Sequence, residues 1–345
     1  FRANLAFTNY EIDFFGRLRS LKHAAFEDVM SSRQARNLVK ITVISQTVNA
    51  YAQFLVDREN LRLAEKNLEA LEEKTRLTEI RHKAGLDSQD TLITAATAAE
   101  NARITCDNYS KFVEQDSNAL MILTGKFNAD SLPKVDSIDD IKIDESLLEF
   151  VPSTSLLSRP DVAEAEHKLK SANADIGAAR AAFFPTISLS TTYGFSSREL
   201  NKTISPDSRS WTITPQISLP IFNGGQNIAR LRNANVLKQI EIINYEKAIH
   251  TAFREALDQF AQRETSVRQL KSSDLILKMR EKSFKIAAVR NEKGAASALN
   301  RADAESIYFS AKQNRNNVKK EYLTNLITLY KVLGGGNEIE QEEKY

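Results

Sequence analysis

The stretch AARAAFFPTISLSTTYGF, residues 178–195, decides the fold. Its first part is rich in alanine, ends at Arg180 and reads as a helix that Pro185 stops. A strand pattern begins at once. Ile187, Leu189, Tyr193 and Phe195 alternate with Thr186, Ser188, Ser190 and Thr192. One face of this strand is apolar and the other is small and polar. The segment WTITPQISLPIF, 211–222, alternates in the same way, with Trp211, Ile213, Pro215, Ile217, Leu219 and Ile221 set against Thr212, Thr214, Gln216 and Ser218. Each run is about 10 residues, the length of a tilted membrane β-strand. Between them, 196–210 is a polar loop suited to an exposed surface. A third strand is expected at 1–14, where Phe1, Ala3, Leu5 and Phe7 alternate before the apolar phase shifts to Tyr10, Ile12 and Phe14. A β-bulge near Thr8 and Asn9 accounts for the slip.

Outside these strands the chain reads as helix. No proline lies in 1–132 or 221–345, and glycines are sparse. The stretches 17–84, 86–124, 226–293 and 295–333 are therefore free to be long helices. Ile41, Ile44, Val48, Tyr51 and Leu55, then Leu61, Ala64, Leu68 and Leu71, follow heptad-like spacing. A helix of this length, roughly 100 Å, must lie against others along its course.

The breakers also repeat. Gly16 and Gly225, Gly85 and Gly294, and Gly125 and Gly334 are each 209 residues apart. RHKAGLDS rhymes with RNEKGAAS, and LMILTG with LYKVLG. The reading is two structural repeats, 1–125 and 159–336, each strand, long helix, tight turn, long helix, with the hairpin 186–222 in the second. An irregular equatorial belt at 126–158 joins them, and 337–345 is a polar tail. The repeat calls for one strand ahead of Phe1, hence four per complete chain. Four strands cannot close a barrel, so several chains must share one, because only closed sheets satisfy every backbone group in a bilayer. Apolar residues then face lipid, small polar ones a watery lumen, and aromatics lie near the strand ends.

Composition narrows the function classes. Of 345 residues 27% are charged, and they nearly cancel at +2, which argues against nucleic acid as a partner. The single cysteine, Cys106, allows no intrachain disulfide and no zinc cluster. No run of 18 apolar residues and no signal peptide is visible, and FRANLAFTNY reads as the middle of a strand, so the sequence is expected to lack its beginning. His23, His82, His167 and His250 are scattered without metal spacing, and no catalytic or nucleotide motif is present. Neither an enzyme nor a cofactor is expected.

The segments SRPDVAEAEHKLKSANADIGAARAAFFPTISLS (158–190), PQISLPIFNGG (215–225), YEKAIHTAFREALD (245–258), NYEIDFFGRLRS (9–20) and LYKVLGGG (329–336) closely resemble the outer membrane factor family, the TolC/OprM-like exit ducts of Gram-negative bacteria. The resemblance covers essentially the whole chain. It implies a mainly α protein with a β membrane part: a homotrimer whose long coiled-coil helices form a periplasmic α-barrel. Four strands from each protomer form one 12-stranded barrel in outer membrane lipid. It also implies a periplasmic adaptor protein and an inner-membrane pump as partners. Members carry, ahead of the strand that opens this chain, a signal sequence, often a lipidated cysteine as in lipoproteins, two helices and a first strand. Cys106, inside a predicted helix, is not that lipid site. The alternative class is a pore-less coiled-coil protein spanning the periplasm, which leaves the two clean strands without a use.

The resemblance places the periplasmic tips at Gly85 and Gly294, with the aperture around the second. Family tips read glycine, an apolar residue, then two acids three apart. Here Leu299 matches the apolar position, Asp303 the second acid, and Asn300 stands where many members have the first. Leu299 and Asp303 are expected to line the closed aperture. Threefold symmetry would make Asp303 a ring of carboxylates that repel one another and attract cations. Arg290 is expected to link to Asp87 or Asp90 of the first tip, although the usual first-tip acid falls at Thr91. Gly85, Leu86, Ser88, Gly294 and Ser297 are the expected adaptor contacts, small enough for another hairpin to approach closely. Ala295 replaces a larger apolar residue there.

Overall fold

In a computed structural model, residues 2–125, 135, 137–141, 143, 153–196 and 206–335 are described. Most of the belt, the centre of the 196–210 loop, the tail and any strand ahead of residue 1 lie outside them. The elements run β1 (Arg2–Ile12), α1 (Arg17–Lys83), α2 (Gln89–Thr124), α3 (Pro160–Ala181), β2 (Thr186–Ser196), β3 (Arg209–Ser218), α4 (Gln226–Glu292) and α5 (Ala298–Val332). The chain forms two compact units, Phe1–Leu38 with Leu157–Thr251, and Val39–Leu156 with Ala252–Tyr345, so each unit draws on both sequence repeats.

The first unit holds an antiparallel sheet in the order β1-β2-β3. Its register gathers the apolar residues of all three strands on one face. Leu5 pairs with Tyr193 and Tyr193 with Trp211, while Ile12 pairs with Ile187 and Ile187 with Ile217. The opposite face carries Asn4, Gly194 and Ser210 in one row and Ala6, Thr192 and Thr212 in another. Among the described residues nothing covers the apolar face: Leu5 is 80% exposed and Trp211 71%. The phase slip read from the sequence is a bulge. The register shifts between Phe7 and Tyr10, Asn9 takes φ 56°, and its N–H donates to Ser190 Oγ at 3.1 Å. Asparagine is among the few non-glycine residues that tolerate this left-handed conformation.

Two strand ends differ from the sequence reading. The first strand stops at Ile12, and β3 covers Arg209–Ser218 rather than 211–222. Ser218 pairs with Thr186, the first residue of β2 after Pro185, so a longer β3 has no partner. Pro220 has no N–H to offer either. Ile221 and Phe222 are left over 90% exposed. Pro215 is tolerated inside β3 because that strand lies at the sheet edge.

Within this unit α3 meets both α1 and α4. Gly177 of α3 lets α1 approach so closely that a Cβ there would lie 2.6 Å from Ser20 Oγ. Glu27 of α1 is buried and bonded to His167 Nδ1 at 2.6 Å, with His23 Nε2 at 3.9 Å. Histidines that look scattered in sequence therefore meet at one carboxylate. Asn227 donates to the Ala182 carbonyl at 2.7 Å, tying the first turn of α4 to the end of α3.

In the second unit Val56, Tyr322, Leu323, Leu326 and Leu329 form a core that Ile138 plugs from the belt. Arg315 of α5 fixes that plug by donating to Asp139 at 2.7 Å and to Asp274 of α4 at 2.8 Å. Leu71 packs against Ala99 and Ala102, small residues that bring α2 close to α1. Of the heptad-like stripe on α1, Ile41, Leu55, Ala64 and Leu71 are buried, while Ile44 and Val48 are exposed.

Two substitutions test the sheet. Asn9→Val puts a β-branched residue in the left-handed conformation and is expected to cost about 1–2 kcal/mol, whereas Asn9→Gly leaves stability near wild type. Gly194→Ala drives its Cβ to 2.6 Å from Asn4 Cα and is expected to separate β1 from β2. Thermal unfolding in detergent, followed by circular dichroism, measures both.

Candidate functional site

The two turns in the second unit are built alike, atom for atom across the 209-residue offset. Each helix ends on a left-handed glycine, Gly85 at φ 74° and Gly294 at φ 69°. At each, the glycine N–H returns to a carbonyl three residues back, His82 or Asn291, at 2.9 Å in both. The next N–H, of Leu86 or Ala295, returns to Arg81 or Arg290 at 2.9 and 2.8 Å. This double bond pattern satisfies the last carbonyls of the helix. A side chain then clamps the turn: His82 Nδ1 lies 2.9 Å from the Asp87 carbonyl, and Asn291 Nδ2 donates to the Ala296 carbonyl at 3.1 Å. Ser88 and Ser297 cap the following helices, their Oγ atoms accepting from Thr91 N–H at 3.1 Å and Asn300 N–H at 3.2 Å.

The turns differ in the acid that faces the arginine. In the first, Arg81 donates to both oxygens of Asp87, at 2.7 and 3.0 Å. That bond, more than any other contact, holds the Asp87 carboxyl below its ordinary range. In the second, Arg290 stands where Arg81 stands, but the position of Asp87 is taken by Ala296. Among the described residues Arg290 makes no ion pair. It lines a shallow groove with Lys282, Lys285, Lys293, Ile286, Val289 and Ala295. Within this chain Asp87 is thus engaged by its own helix end and not by Arg290, and Asp90 contributes its carbonyl to Thr94 Oγ1.

Leu299 and Asn300 lie in the first turn of α5, Leu299 half-buried and Asn300 exposed. Asp303, one turn further, is half-exposed and ion-paired with Lys74 of α1. Sequence reading missed Lys74 because it lies 229 residues from its partner on a helix with many lysines. Leu86 is 68% exposed at the head of the first turn.

Comparison with known proteins shows the family. A model of the family described as Outer membrane efflux protein matches residues 1–126 and 151–335. The chain is 38% identical over 336 residues to the probable efflux pump outer membrane protein TtgC of Pseudomonas putida, covering 97% of this chain and 69% of that protein. It is 32% identical over 333 residues to the cation efflux system protein CusC of Escherichia coli, covering 95% and 71%. Among solved structures, the open state of the Neisseria gonorrhoeae MtrE outer membrane channel superposes with a TM-score of 0.85 at 32% identity, covering 97% of this chain and 75% of that one.

The matched caps predict matched effects. Ser88→Ala and Ser297→Ala each remove a single N-cap acceptor and are expected to cost about 1 kcal/mol. Amide hydrogen exchange in the first turns of α2 and α5 should accelerate by similar factors.

Proposed function

We propose, on the premise that this chain belongs to the outer membrane efflux protein family, a gated exit duct built from three copies of it. Family membership sets the coarse function. The protein is an outer membrane channel of an efflux system, with its sheet in the outer membrane and its helices in the periplasm. The observation that carries the step to several copies is the sheet itself. Among the described residues its apolar face is bare, and β1 and β3 each pair on one side only. In a bilayer such edges must close on strands of other copies, with Thr212, Thr214, Gln216 and Ser218 facing water. Exposed apolar residues along the helices, including Ile44, Val48, Leu257 and Leu275, support lateral packing of one copy on the next.

The tips are the working end. Leu299, Asn300 and Asp303 line the aperture at the threefold axis, and Lys74 fixes the Asp303 carboxylate there. Arg290 supplies the link between neighbouring coils. Its twin Arg81 is neutralised inside its own turn, whereas Arg290 must find its acid, Asp87 or Asp90 or an equivalent, outside the turn. One exposed pair is worth under about 1 kcal/mol, so three symmetric links act together or hardly at all. Gly85, Leu86, Ser88, Gly294 and Ser297 meet a periplasmic adaptor protein. An inner-membrane pump supplies the energy, since the chain carries no nucleotide-binding motif.

Single-channel conductance in planar bilayers tests the gate. Leu299→Ala with Asp303→Ala is expected to raise conductance severalfold, and an unchanged value removes these residues from the aperture. Ala296→Asp recreates the Arg81–Asp87 arrangement and should sequester Arg290. It is therefore expected to open the channel as Arg290→Ala does. If Arg290→Ala leaves conductance at the wild-type value, the coil-linking role fails. Electron microscopy of the detergent-solubilised protein tests the assembly: hollow threefold particles are expected, and monomers or solid rods overturn it.

A further inference from the structure

The helices of the second unit enclose a polar node that the export reading does not use. Asp57 of α1 is 6% exposed, and Gln53 Nε2 donates to its Oδ2 at 2.6 Å. Asp116 of α2 brings its carboxyl within hydrogen-bonding reach of Asp57. The Oδ2 atom of Asp116 is shielded from solvent and meets no N–H or O–H donor among the described residues. Lys320 of α5 is the cation facing Asp116. Tyr109 of α2, close to Asp57 and bonded to Asn60, is the other titratable group.

Two carboxylates placed together have acceptors on both sides and no hydrogen between them. Left ionised, they repel in a medium that screens poorly, and Asp116 Oδ2 forfeits the water it would bind in the unfolded chain. One proton resolves both faults, because a protonated carboxyl donates to its ionised neighbour. Burial, then the bond to Asp57 and the Asp57 charge, raise Asp116 from the ordinary carboxyl range to about 7, against the opposing pull of Lys320.

We propose that Asp57 and Asp116 hold one proton between them, and that its release loosens α2 from α1 at this level of the helical body. No covalent chemistry is involved: the proton comes from solvent and returns to it. The pair lies between α1 and α2 inside a single chain, so the inference is independent of how many copies assemble. The sign of the effect follows from linkage. The folded state binds this proton more tightly than the unfolded chain, whose aspartates titrate near 3.9. Stability therefore falls as pH rises between the two values. The contribution is complete below about pH 4 and is lost as pH passes about 7.

Infrared difference spectroscopy of the detergent-solubilised protein, titrated from about pH 5 to about pH 9 and paired with thermal unfolding, tests this. The wild-type minus Asp116→Asn spectrum is expected to show a protonated-carboxyl C=O band that disappears near neutrality. The wild-type thermal midpoint should fall over the same range. It should stay more nearly level in Asp116→Asn, whose amide donates to Asp57 at every pH. Lys320→Gln should move the wild-type transition to higher pH. If Asp116→Asn does not fold, Asp57→Asn places the amide donor on the other partner and is read in the same way. A difference spectrum without the band, or a variant that keeps the full wild-type loss of stability, overturns the proposal.

Discussion

Everything in this chain is subordinate to two open strand edges. A β-strand in hydrocarbon has nowhere to send its N–H and C=O groups except to another strand. β2 is paired on both sides, but β1 and β3 are paired on one, and their apolar residues face outward without a core behind them. Closure has to come from further strands. In the proposed assembly those strands come from other copies of the chain. The turns between sheet and helix are correspondingly tight: Gly16 at φ 80°, and Gly224 and Gly225 at 60° and 82°, supply backbone conformations that other residues rarely adopt.

The duplicated tips show how a repeat can divide labour. Both turns use the same glycine, the same pair of return bonds and the same serine cap. The side-chain clamp is kept while its residue type changes from histidine to asparagine. What keeps the turn a turn is therefore preserved between the halves, and what differs is charge. The first turn is electrostatically self-sufficient through Arg81 and Asp87. The second, with Ala296 in place of the acid, leaves the exposed Arg290 guanidinium without that intra-turn partner. The coil-linking role proposed for Arg290 rests on that difference.

The parts of the fold legible in the sequence are those written in local periods. Alternation over ten residues gives the strands and their two faces, and a break in that alternation locates the bulge at Asn9 within a residue. Glycine spacing gives the helix ends. The end of β3 was not legible, because a strand stops where its partner stops, and the partner's limit at Pro185 lies thirty-odd residues away. The site was half legible. Leu299, Asn300 and Asp303 can be placed on one helix start from sequence, but the Lys74–Asp303 pair cannot. Nor can the meetings of Glu27 with His167 and of Asp57 with Asp116. These depend on how one long helix is rotated and slid against another, and a heptad-like stripe leaves the sliding undetermined.

That freedom explains the polar residues buried in these helices. A heptad stripe packs almost as well after a slip of seven residues, so apolar contacts alone hold register weakly along a 67-residue helix. Asn60 of α1 is fully buried, and its side chain bonds to Asn316 and Asn317 of α5 at 3.3 and 3.1 Å. Slide α5 by one heptad and the place of Asn316 passes to Phe309 or Leu323, neither of which offers a polar atom to Asn60. An orphaned buried amide costs about 1–3 kcal/mol, and in one direction the same slip puts Asn316 and Lys319 in the core places of Leu323 and Leu326. The asparagines add their own penalty to the slipped registers. They act by making the wrong ones expensive, and so the tip of α5 arrives opposite Lys74, and Asp303 with it, only when the register is right.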